Sequence, residues 1–204
     1  MTHPIEVESY RIMEERVDLS AFPPGERAVV ARVIHASADL DFARTMWFSP
    51  GAVDAGVEAL RRGAPVVVDV EMVRHGITGG TVECHLPRAG RDDDGESGGD
   101  TRSARGVRAA ARRHPEGAVV VVGCAPTALR EVLRLAGAGG LRPALVVGLP
   151  VGFVGAAEAK DALRASGLVA MGNSGDKGGS AVAAAAVNTL TRLAWSGPTN
   201  GPRP

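Results

Sequence analysis

Beyond Gly63 the chain passes through a series of short β-branched apolar runs that do not alternate with polar residues: Pro65 to Val70, Val82 to Leu86, Ala118 to Val122, Ala144 to Val147 and, more weakly, Leu168 to Met171. A strand with one wet face reads apolar, polar, apolar; a strand that stays apolar throughout is covered on both faces. Helical stretches near 71–75, 102–114, 126–137, 155–165 and 178–194 separate these runs. Strand and helix in strict alternation specify parallel strands joined by right-handed crossovers, with helices on both sides of the sheet. The expectation is an α/β fold, a flavodoxin-like doubly wound parallel sheet of about five strands. Ligands of such sheets sit beyond the carboxyl ends of the strands.

Residues 4–62 have a different character. Ile5, Ser9, Ile12 and Met13, then Val29, Val30, Val33 and Ile34 after Pro23-Pro24, recur at helical spacing. A third helix is expected from Ser49-Pro50, with Ser49 as cap and Pro50 at the first helical position. The 204 residues are read as one domain, with a helical part over 1–63 and an α/β core over 64–194. Residues 88–100, RAGRDDDGESGGD, form an acidic loop inserted between elements, and 195–204 form a polar tail. Aromatic residues are only 3% of the chain, so its core is aliphatic.

Lys plus Arg and Asp plus Glu both number 23, which removes the global field that draws basic proteins to nucleic acid or anionic membranes. Of those cations only Lys160 and Lys177 are lysines, so arginine, the better clamp for carboxylates, dominates. Cys84 and Cys124 lack the spacing of a zinc site or a disulfide framework and are expected as reduced thiols. The N-terminal stretch is acidic and amphipathic, unlike an export signal, and the most apolar stretch, Ala144 to Ala157, is too short for a bilayer. A cytoplasmic protein with no membrane segment is the expectation.

Gly-rich turns follow the later strands: Gly123 to Thr127, Gly148 to Gly155 and Gly172 to Ser180. Each leads into a helix start, where unpaired N–H groups favour anions, so together they suggest a site for a ligand with several carboxylates or phosphates. GNSGDKGGS is not a P-loop, because Lys177 precedes Gly178-Gly179 instead of following the last glycine, and no GxGxxG follows an early strand. Among five histidines, His3 and His114 lie at a terminus or in polar company, and His75 and His85 flank strands with no partner in sequence. His35 shares a helix flank with Arg32, and Asp39 is placed one turn further on, which pairs an acid or base with an anion clamp. Arg102, in Thr101-Arg102-Ser103, stands at a helix start that Asp100 or Thr101 can cap; a cation there opposes the helix dipole and invites a ligand-binding explanation.

ARVIHASAD around His35, FSP at Phe48, GAPVVVDVEMVRHGIT from Gly63, TRS at Thr101, APTAL at Ala125, GLPVGFVGAAEAKDAL from Gly148 and KGGSA at Lys177 together resemble the precorrin-8X methylmutase family over about residues 4–194. The resemblance implies an isomerase of cobalamin biosynthesis that moves a methyl group from C11 to C12 of a corrinoid precursor. It also implies a homodimer without cofactor or metal, whose active site lies near the dimer interface. It assigns the catalytic histidine to His35, substrate contacts to Ser9 and Arg32, and a further substrate contact to Arg102 in its Thr101-Arg102-Ser103 motif. The substrate implied is a tetrapyrrole with acetate and propionate arms, metal-free or cobalt-bearing. Cys124 departs from the Asn frequent in the family before APTAL. Two other readings stand beside this one: a non-catalytic corrinoid carrier, and a flavin or nucleotide binder, for which the Gly-rich turns lack stacking aromatics.

Overall fold

The computed structural model describes residues 3–86 and 101–195. Helices α1 (Pro4–Arg16), α2 (Pro24–Ser37) and the short α3 (Phe42–Thr45), strand β1 (Met46–Phe48) and helix α4 (Ala52–Arg61) come first. The alternating part follows: β2 (Val66–Val68), α5 (Glu71–Gly76), β3 (Val82–Cys84), α6 (Arg102–Arg113), β4 (Val119–Val122), α7 (Pro126–Gly137), β5 (Leu145–Gly148), α8 (Ala156–Ala165), β6 (Ala170–Asn173) and α9 (Ser180–Trp195). The acidic segment 88–100 and the tail beyond Trp195 lie outside the described residues.

The sheet has six strands among the described residues, in the order β1-β6-β5-β4-β2-β3, and every pairing is parallel except β1 with β6. The expectation of about five strands, all parallel, is thus corrected by one antiparallel edge strand within the segment read as helical. Three residues are too few to show a period, and only pairing with β6, Met46 against Asn173 and Phe48 against Met171, makes them a strand. Ser49 does not cap α4 either. Its Oγ accepts the Ala170 N–H at 2.9 Å, and the helix starts later, behind Gly51 in the left-handed region.

Consecutive valines point to opposite faces, which is why the runs do not alternate. Val66, Val68, Val119, Val121, Leu145 and Val147 pack under α2, α4 and α9, with Val30, Val33, Val57 and Leu190. Val67, Val120, Val122 and Val146 pack under α6, α7 and α8, with Val107, Leu129, Val132 and Leu163. Each such side chain buried contributes about 1.5–3 kcal/mol, so both faces are needed to hold so short a set of strands. At Gly148 an added Cβ would lie 2.4 Å from Leu163, so only glycine lets α8 approach β5 this closely.

Candidate active site

Helix α1 begins behind His3, whose Nδ1 accepts the Ile5 N–H, with Pro4 at its first position. Only Met13 of this helix is buried. Ile5, Val7 and Ile12 face solvent, so the apolar residues at helical spacing do not all seek the core. Pro4, Ile5, Glu8, Ser9 and Ile12 line an open concavity on its outer side.

Helix α2 buries Val29, Val30, Val33 and Ile34 and turns Arg32 and His35 towards α1. Ser9 Oγ lies 3.0 Å from His35 Nδ1. The Tyr10 ring stacks on the imidazole, with centroids 4.7 Å apart and planes 5° from parallel. One turn earlier, Arg32 Nη1 donates to Glu6 Oε1 at 2.7 Å and to Tyr10 Oη at 3.4 Å. The Tyr10 hydroxyl, opposed by partial burial and aided by Glu6, raises the Arg32 pKa above its ordinary value, so the guanidinium stays charged at any physiological pH. The chain therefore brings Ser9, Arg32 and His35 together as expected. It adds Tyr10 and Glu6; Glu6 precedes Ser9 by three positions and so shares its helix flank, whereas the position of Tyr10 follows only from the packing of α1 on α2.

Asp39 is not on that helix flank. Helix α2 ends at Ser37, Ala38 adopts the left-handed conformation, and Asp39 and Asp41 each pair with Lys177 at 2.7 Å. Lys177 follows β6, so these ion pairs anchor the His35 end of α2 at the carboxyl end of the sheet. Ser174 N donating to Thr45 O at 2.9 Å ties the same region.

Thr101, Arg102 and Ser103 lie on the other layer, at the start of α6. Thr101 is the cap, with Oγ1 accepting the Ala104 N–H at 3.3 Å, and Oγ1 also lies 2.7 Å from Thr127 Oγ1 in the first turn of α7. Two helix N-termini therefore stand side by side, with the exposed Arg102 at the first position of one of them. Arg102 belongs to a different helix layer from the Ser9, Arg32 and His35 group.

The Gly-rich turns behave unequally. The turn after β4 already holds an anion, the carboxylate of Asp69, which is 3% exposed. It accepts the N–H groups of Gly123, Cys124 and Ala125 at 3.0, 2.9 and 2.8 Å. Burial pushes the Asp69 pKa up despite these bonds. These three N–H groups are therefore taken from any ligand anion, which corrects the anion-site expectation for this turn. The turns after β5 and β6 are locked to each other instead. Lys160, fully buried, donates to Asn173 Oδ1 at 3.1 Å and to Lys177 O at 2.7 Å, and Gly179 N donates to Leu149 O at 2.8 Å. At Gly178 an added Cβ would lie 2.3 Å from Pro150 O. The turn after β5 then throws Phe153 and Val154 into solvent, 95% and 89% exposed. Cys84 and Cys124 are unpaired thiols, both with pKa raised by burial, Cys84 to about 11.

An α/β protein with a largely parallel sheet covered by helices on both faces belongs to the doubly wound class, whose sites lie at the carboxyl ends of the strands. A precorrin-8X methylmutase family model matches residues 4–193, and the chain belongs to that family. It is 38% identical to the cobalt-precorrin-8 methylmutase of Priestia megaterium, over 96% of this chain and 89% of that one. With the precorrin-8X methylmutase of Pseudomonas aeruginosa it shares 41% identity over 90% of this chain and 91% of that one. A crystal structure of precorrin-8X methylmutase from Thermus thermophilus superimposes with a TM-score of 0.84 at 38% identity, covering 93% and 95% of the two chains. Methylmutases are isomerases. No helix among the described residues is long and apolar enough to cross a membrane.

Proposed function

We propose that this chain isomerises a precorrin-8-type tetrapyrrole by moving a methyl group from C11 to C12, with His35 as the acid. The observation that carries the reading is the Ser9–His35–Tyr10 arrangement, a half-buried imidazole held by a hydrogen bond on one nitrogen and a stacked ring on one face. In the protonated ring Nδ1–H donates to the Ser9 hydroxyl, and Nε2–H, which has no hydrogen-bond partner among the described residues, carries the proton to be given up. That N–H then faces the ligand. A proton or strong hydrogen bond delivered to a pyrrole-type nitrogen makes the ring carrying C12 electron-poor. The methyl carbon leaves C11 as it bonds to C12, and the ring double bonds shift with no net gain or loss of electrons. Acid catalysis of this kind contributes about 10²–10⁴-fold, and positioning of the macrocycle supplies the remainder.

Arg32 and Arg102 are the clamps for acetate and propionate arms in this reading, with Thr101 and Ser103 at the helix start beside Arg102. Both Arg32 contacts use one nitrogen, which leaves its other donors for a carboxylate. The exposed apolar strip of Ile5 and Ile12 next to Ser9 suits the flat face of the macrocycle. The five parallel strands, taken in chain order, have the sequence 2-1-3-4-5, which supports the flavodoxin-like description. Exposed Phe153 and Val154 favour a homodimer, and an enzyme without cofactor, in the cytoplasm, completes the reading.

The test is an absorbance time course with enzymatically prepared precorrin-8X and with its cobalt form, for wild type and His35→Ala. Conversion by wild type alone, on either substrate, supports both the reaction and the role of His35. Equal rates in the two proteins remove His35 from the mechanism. Spectral binding shifts without conversion of either substrate select the carrier reading.

A further inference from the structure

Away from the His35 site, the fold gathers two histidines and a glutamate that are far apart in sequence. Glu83 lies in β3, the edge strand, paired with Val67, and so points to the face covered by α6. His85, two residues on, projects to the same side. His114 is the residue at which α6 ends. Glu83 Oε2 lies 2.8 Å from His85 Nε2 and 3.1 Å from His114 Nε2, and one ligating atom from each residue falls within 4.8 Å of the others. The two imidazoles meet edge to face, with centroids 6.4 Å apart and planes at 61°. All three side chains are roughly three-quarters buried, at 23%, 23% and 21% exposed.

We propose that Glu83, His85 and His114 form a binding site for a divalent transition-metal ion of the zinc class. Two imidazole nitrogens and one carboxylate oxygen are the donor set of open zinc sites, with a fourth position left for water. Imidazole donors select zinc, cobalt or nickel over magnesium and calcium, which take oxygen ligands. With bonds of about 2.0–2.1 Å, tetrahedral ligand atoms stand roughly 3.3 Å apart, so the two separations from Glu83 need to open by only a few tenths of an ångström. In the metal-free form both rings donate Nε2–H to the same oxygen. On binding, each neutral ring shifts its proton to Nδ1 and presents the Nε2 lone pair, and a doubly protonated ring releases one proton to solvent.

The competitor is Arg113, whose Nε lies 3.3 Å from Glu83 Oε2. Its side chain is 66% exposed, so it can leave for water when a metal ion takes the oxygen. The His114 hydrogen bond, helped by His85 and Arg113, holds the Glu83 pKa below its ordinary value, and the carboxylate is already ionised for ligation. An occupied site would clip the sheet edge to the end of α6 and close the loop from residue 85 to 114, the kind of constraint that stabilises a fold by binding it selectively.

The test uses the full chain, stripped with chelator and titrated calorimetrically with ZnCl₂, with CoCl₂ as a spectroscopic probe and MgCl₂ as control. The expected result is saturable binding of one Zn²⁺ per chain and visible absorption bands from tetrahedral Co²⁺. Addition of Zn²⁺ should also raise the melting temperature, while Mg²⁺ has no effect. His85→Ala and Glu83→Gln should each weaken Zn²⁺ binding at least about tenfold, since even the outer partners of metal ligands are worth 10–100-fold. His114→Gln, which keeps the side-chain bulk, should do the same in a protein of unchanged far-ultraviolet circular dichroism. Absence of Zn²⁺ binding by wild type, or equal binding by a folded His85→Ala/His114→Gln double variant, overturns the proposal.

Discussion

Replacing Lys160 with methionine tests the most consequential buried charge in the fold. The ammonium is fully buried in α8 and donates to Asn173 Oδ1 and Lys177 O. Burial lowers its pKa from 10.5 to about 8, with Asp176 and Asp161 pulling it back in part. That displacement corresponds to about 3 kcal/mol of folding free energy lost at neutral pH by keeping the proton on. The sign follows from proton counts. Between pH 8 and 10.5 the unfolded chain holds the proton and the folded chain has released it, so stability from this group rises with pH across that window. Lys160→Met removes the penalty. It leaves Lys177 O still bonded to Asn173 Nδ2 at 2.8 Å, but orphans Asn173 Oδ1, at a cost of about 1–3 kcal/mol. At pH 7 the variant should equal wild type or exceed it by up to about 2 kcal/mol. At pH 10.5, where wild type has recovered most of its 3 kcal/mol, the variant should be less stable than wild type by about 1–3 kcal/mol. Urea unfolding of both proteins at steps from pH 7 to 10.5 measures the difference, and titrations common to both proteins cancel. A stability difference that does not change with pH would refute the reasoning and mean that Lys160 holds an ordinary pKa despite its burial.

Three further outcomes can be checked directly. Arg102→Ala should weaken binding of the carboxylate-rich substrate by about 1–3 kcal/mol, read as a shift in a spectral titration, with turnover at saturation much less affected. Asp69→Ala should destabilise the fold by about 2–4 kcal/mol in urea, because three N–H donors at the turn after β4 lose their acceptor together, even though a desolvated carboxylate is removed. Gly178→Ala should reduce both stability and activity, since its Cβ would meet the Leu149 and Pro150 carbonyl oxygens at 2.4 and 2.3 Å; an unchanged melting temperature would show that the turn can move aside.

The site was legible in the sequence only in part. The three-residue spacing of Arg32 and His35 placed them on one flank of α2, but nothing in periodicity put Ser9 and Tyr10 against them, because that contact joins residues 26 positions apart. The resemblance supplied Ser9, and Tyr10 emerged only from packing. Asp39 failed for a local reason, the left-handed Ala38 that ends the helix before it. The turn after β4 looked like an anion site and is one, but its anion is Asp69 from the end of a neighbouring strand, a partner no local pattern reveals. His85 and His114 had no companions in sequence and gained them through the edge position of β3 under α6.

What the sequence determined by itself was the set of elements that burial on two faces requires. Valine runs flanked by amphipathic stretches can satisfy both their hydrophobic area and their backbone hydrogen bonds only as covered parallel strands, and five strands and their helices appear where the runs predict them. Tertiary structure alone decided what has no period to announce it. The three-residue strand β1, the burial of Lys160 between two turns, and the capture of Asp69 by the turn after the neighbouring strand β4 each depend on a partner distant in the chain. Their energies come from pairing and desolvation across space, which residue spacing along one segment does not encode.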